Sequence, residues 1–72
     1  MVNALVKIHQ RVTMTNYQNP EPIVVTEEVK QGDHVFLVSG LGETKEFKTL
    51  PPAEKRFFEI VGNLYLHGYT KQ

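Results

Sequence analysis

An α+β fold is predicted, a four-stranded antiparallel β-meander followed by one C-terminal α-helix packed on one sheet face. Three observations carry that expectation. Apolar and polar residues alternate through positions 2–14. Two apolar, β-branched runs, IVVTEEV at 23–29 and VFLVS at 35–39, lie between turn-forming residues. Near the C-terminus, the stretch PAEKRFFEIVGNLYLHG at 52–68 changes to helical periodicity. Period two marks a half-buried strand, and spacings of three and four mark an amphipathic helix.

The first strand places Val2, Ala4, Val6, Ile8, Val12 and Met14 on one parity, and Asn3, Lys7, His9, Arg11 and Thr13 on the other. Gln10 is the one polar residue on the apolar side, and the strand is long, so a bend or bulge is expected near it. The loop TNYQNPEP at 15–22 is rich in turn formers, and Tyr17 at its centre caps the core edge or stands exposed as a contact. The second strand, 23–29, ends at a Gly-Asp turn signal within 30–34. The third strand, 35–39, is apolar on both faces, as a strand in the middle of a sheet is. GLGE at 40–43 turns the chain, with Gly42 at positive φ, and 44–49 returns as a fourth strand with Phe47 inward. Sequential strands joined by short connections pair as neighbours.

The helix is expected to begin at Pro52, since proline suits the first helical position, and to stop at Gly68. Glu54 is assigned to the first turn, where the helix dipole favours a carboxylate. Phe57, Ile60, Val61 and Leu64 form the core stripe. Phe58, Tyr65 and Tyr69 form a second apolar stripe beside it, and Leu66 breaks into the polar side. Gly62, costly inside a helix, points to close approach by another backbone.

One helix covers one sheet face. Val24, Leu5 and one parity of the third strand are left on the other, and an uncovered apolar patch usually marks an interface. The chain has 72 residues, no cysteine, and 8 basic against 8 acidic residues. A core this small without disulfide or thiolate zinc gains from association, and zero net charge does not oppose it. No apolar run is long enough to span a membrane, and no charged-then-apolar leader is present. The chain begins at Met and reads as a complete small cytoplasmic protein.

No catalytic, metal or cofactor motif is present. The histidines at 9, 34 and 67 lack ligand spacing; His9 is expected to face solvent and His67 to sit at the helix C-terminus. SGLGET at 39–44 follows a strand like a phosphate loop but precedes another strand, which favours a hairpin turn. Glu27, Glu28, Asp33, Glu43 and Glu46 all lie in polar contexts where solvation is expected.

The leading expectation is therefore a non-enzymatic protein–protein interaction module, an inhibitor or adaptor of the kind phage and mobile elements encode, forming a homodimer. Its interface candidates are Phe58, Tyr65, Tyr69, Val24 and Tyr17. The alternative is a nucleic-acid-binding regulator using Lys45, Lys48, Lys55 and Arg56 with interleaved phenylalanines. The meander-plus-helix order resembles, in topology alone, a single-stranded-DNA-binding transcriptional coactivator fold. Four glutamates interrupt that basic strip, which weakens this alternative.

Overall fold

The computed structural model describes residues 4–17 and 19–72. Among them the chain forms β1 (Ala4–Thr15), β2 (Pro20–Lys30), β3 (Asp33–Gly40), β4 (Glu43–Phe47), α1 (Leu50–Leu66) and β5 (Thr70–Lys71). The sheet is antiparallel throughout, in the order β4-β3-β2-β1-β5. The expected meander is present, and a short fifth strand closes one end of β1. Val2 and Asn3, assigned above to the first strand, lie outside the described residues.

Both inner hairpins use two-residue turns with two positive φ values: Gln31 (53°) and Gly32 (84°), then Leu41 (55°) and Gly42 (76°). This type matches the right-handed twist of the flanking strands. It pins the register, setting Val25 opposite Val38 and Phe36 opposite Phe47. Gly40, expected in the turn, closes β3 instead, packed against Ile23. The loop before β2 is shorter than expected because Pro20 and Pro22 pair with Thr15 and Thr13 of β1. They precede Val24, where pairing with β3 begins, so their missing N–H groups remove no bond on that side.

The single parity read for β1 does not survive. The register with β2 slips at Val6 and again at His9, each slip placing two steps of β1 against one of β2. A bulge reverses the side to which the following residues point. Val12 and Met14 therefore reach the helix side, whereas Leu5 and Ile8 pair with Glu28 and Thr26 on the outer face. Leu5, Val6 and Ile8 are all exposed.

Helix α1 starts two residues earlier than predicted. Thr49 is the extended N-cap residue, and Leu50, Pro51 and Pro52 occupy the first turn, where backbone N–H groups have no helical partner. Pro51 is thus helical. Glu54 then falls beyond the first turn, and its carboxylate accepts a hydrogen bond from the Gln10 amide at 3.0 Å. The C-terminus closes with Gly68 at φ 86°. Tyr69 N–H donates to Leu64 O (2.9 Å) and Gly68 N–H to Tyr65 O (3.1 Å), the paired bonds of a Schellman motif.

The core lies between this helix and one sheet face. Ala53, Phe57, Ile60, Val61 and Leu64 pack on Met14, Ile23, Val25 and Val38, with Val12, Phe36, Phe47, Leu50 and Tyr69 at its margin. The Phe36/Val38 parity of β3 faces the helix, leaving Val35 and Leu37 on the outer face. The molecule is 41 Å long, about the length of a twelve-residue strand at roughly 3.3 Å per residue. A seventeen-residue helix spans only about 25 Å. One end of the β1–β2–β3 ribbon therefore extends past the helix.

Candidate functional site

Two features stand out on this frame: an apolar surface on the helix, and a histidine–carboxylate cluster on the projecting ribbon.

Successive helical residues turn by about 100°, so Phe58 and Tyr65 lie beside the core stripe on the side toward β1. Phe58 is 59% exposed and Tyr65 49%, while Leu66, further round, is 83% exposed. Phe58 is held edge-on to the buried Phe57 ring, with centroids 5.3 Å apart. Between this side of the helix and β1 runs an open groove of about 400 Å³, lined among others by Val12, Val61, Arg11 and Lys71. The groove lies where β5 stops, since that strand pairs only with Met14 and Thr15. Gly62 sits at the surface between Phe58 and Leu66, and a Cβ built there meets no atom within 4 Å. The close backbone approach expected at Gly62 therefore does not occur among the described residues.

The other interface candidates are placed differently. Tyr69 is half-buried against the core as the Schellman contact of Leu64. Val24 is half-buried on the outer sheet face, where Leu37 is half-buried and Val35 buried. Lys30, Glu46 and Lys48 border the same hollow as Val35, and Lys30 Nζ bridges to Glu46 at 3.2 Å. Around Val35 the outer face is thus less bare than face-counting predicts, whereas Leu5 and Ile8 of β1 stay exposed on it as expected for Leu5. Tyr17 is fully exposed on the loop after β1.

The basic residues do not form one strip. Lys45 and Arg56 share a hollow with Glu43, which Arg56 approaches at 3.5 Å. Lys45 Nζ lies 6.0 Å from the Phe47 ring centroid. Lys48 borders the separate hollow with Lys30, and Lys55 is exposed on the helix.

The histidine cluster was not foreseen. The second β1 bulge turns His9 off the solvent side, leaving its side chain 14% exposed. Its Nε2 donates to Glu27 Oε1 at 2.8 Å, and His34 Nδ1 donates to Glu27 Oε2 at 2.6 Å. An ionised carboxylate only accepts, so both imidazoles are the donors. The His9 ring lies 5.7 Å from that of Phe36, tilted by 54°. Glu27 therefore departs from the solvated reading. Bonds from His9, then His34, outweigh partial burial and hold its carboxyl below the ordinary value of 4.5. The two nitrogens approach opposite oxygens, and among the described residues no group of three or more such side chains is arranged to hold a metal ion. The third histidine, His67, caps the helix as expected: its Nδ1 donates to Asn63 O at 2.7 Å.

No described helix is long and apolar enough to cross a membrane. Comparison of the chain with protein-family models, with curated proteins and with solved structures returns no match.

Proposed function

We propose that this chain is a non-enzymatic protein–protein interaction module of the cytoplasm, a compact inhibitor or adaptor that acts through the exposed apolar side of α1 and works as a homodimer. One observation carries the reading. Phe58, Tyr65 and Leu66 stay largely exposed although the same helix buries Phe57, Ile60, Val61 and Leu64. Fully burying a side chain of this kind yields about 1.5–3 kcal/mol, so three exposed together are a reservoir of binding free energy. The adjoining groove offers depth for an inserted side chain. Apolar walls edged by Arg11 and Lys71 have the character of an interface core with a polar rim.

The test is photo-crosslinking in the native host, with a benzophenone side chain at position 58 and, as control, at position 48. The reading predicts a protein adduct from position 58 that is lost when Tyr65→Ala and Leu66→Ala are added, and none from position 48. It fails if position 58 gives no adduct while the purified protein binds single-stranded oligonucleotides with an affinity that falls steeply with salt.

A further inference from the structure

We propose that the His9–Glu27–His34 cluster is an acid-sensitive latch: a proton taken up by Glu27 frees the projecting end of the β1–β2–β3 ribbon while the half packed on the helix stays folded. The device is separate from the contact surface on α1 and goes beyond the interaction reading.

Position carries the inference first. The core and its margin take nothing from β1 before Val12, from β2 after Val25 or from β3 before Phe36. His9, Glu27 and His34 all lie in the part left over. There Leu5, Val6 and Ile8 are exposed, and among the described residues Val35 is the one buried apolar side chain. Segments with few buried apolar contacts open at less cost than the whole fold. The ion pair of Lys30 with Glu46 is exposed and adds little. The cluster is the main side-chain tie at this end.

Charge makes the tie one-sided. Both imidazoles donate to the same carboxylate, at 2.8 Å and 2.6 Å, and among the described residues no second acid bonds either ring. Glu28 and Asp33 have the opposite parity from Glu27 and His34 on their strands, and Glu28 is engaged by Thr26. From the helix, Glu54 is engaged by Gln10. Opposite Glu27 in the register stand Lys7 on β1 and Phe36 on β3, a cation and an apolar ring. In the acid range where a carboxyl titrates, imidazoles in general are cationic. A neutral Glu27 therefore leaves like charges together with no anion between them. His34, 55% exposed, is free to turn into water. His9, 14% exposed and set against Phe36, is hydrated only when the strands part. Bonds from both rings hold the Glu27 carboxyl below 4.5, so the opening belongs below that pH.

Amide hydrogen exchange, corrected for the intrinsic effect of pH, reads the opening residue by residue. As pH falls below 4.5, amides at 5–9, 27–29 and 34–35 should lose protection by up to about tenfold per pH unit, the limit for one proton. Amides at 57–64 should keep theirs. Glu27→Gln should show the open end already just above pH 4.5, with no further step below it. His9→Gln keeps an amide donor and gains no charge, so it should hold protection into acid. It decides the matter if Glu27→Gln does not fold. The inference is overturned if ribbon and helix amides lose protection together in the wild type, if the ribbon amides stay protected, or if either variant follows the wild type.

Discussion

Glu27 and His34 are neighbours because the two-residue turn at Gln31–Gly32 folds β3 back along β2, bringing Oε2 of one within 2.6 Å of Nδ1 of the other. His9 completes the arrangement from β1. One carboxylate thus ties three adjacent strands together on the ribbon that the helix does not cover.

That tie predicts an acid limb in the stability profile. Glu27's carboxyl is held below 4.5, through His9 first and His34 second, so the folded state binds fewer protons than the unfolded state just below that pH. A depressed carboxyl stabilises fully above its unfolded value and loses the contribution as pH falls through the folded one. Thermal midpoints should therefore drop as pH is lowered below 4.5, and Glu27→Gln should flatten this limb. Equal slopes for wild type and variant would remove Glu27 from the account.

On the helix, core and surface should separate cleanly. Ile60→Ala and Leu64→Ala each remove a buried side chain and should cost about 2–5 kcal/mol. Phe58→Ala and Tyr65→Ala, measured in dilute monomer, should shift the urea midpoint far less. Equal midpoint losses for all four would mean that the exposed side of α1 is part of the fold's own packing.

Much of this was legible in the residues. The spacing of Phe57, Ile60, Val61 and Leu64 is enough to place the buried stripe, because helical geometry is local. Gly42 announces its turn for the same reason, since positive φ is a one-residue property. The β1 faces were not legible beyond the expectation of a bulge near Gln10: the bulge at His9 is there, but a second one at Val6 reverses the alternation again. The histidine cluster depends on both a bulge and a turn register, so no spacing along the chain marks it. Strand β5 is two residues long and owes its existence to the Schellman turn that aims the chain back at β1. The helix start moved because two prolines fit a first turn as well as they end a loop.

The turn at 41–42 gives a direct backbone test. Gly42 holds φ 76°, where a β-branched side chain is strained. Gly42→Val should lower the thermal midpoint clearly although open space surrounds the site. An unchanged midpoint would contradict the turn geometry.

Gly62→Ala tests whether the bare glycine in α1 serves the fold of the single chain. With no neighbour to meet, the methyl group should stabilise the monomer by about 1 kcal/mol through helix propensity alone. A midpoint that falls instead, measured by urea unfolding, would show that the fold itself needs the glycine there.

The central claim, that the exposed side of α1 is a contact surface between copies, is tested most directly by sedimentation equilibrium of the wild type beside Phe58→Ala/Tyr65→Ala across a wide concentration range. The account predicts that the wild type moves from 8.3 kDa toward twice that mass while the double variant, equally folded, remains at 8.3 kDa. A wild type that holds 8.3 kDa at every concentration, or a double variant that associates just as well, would contradict it.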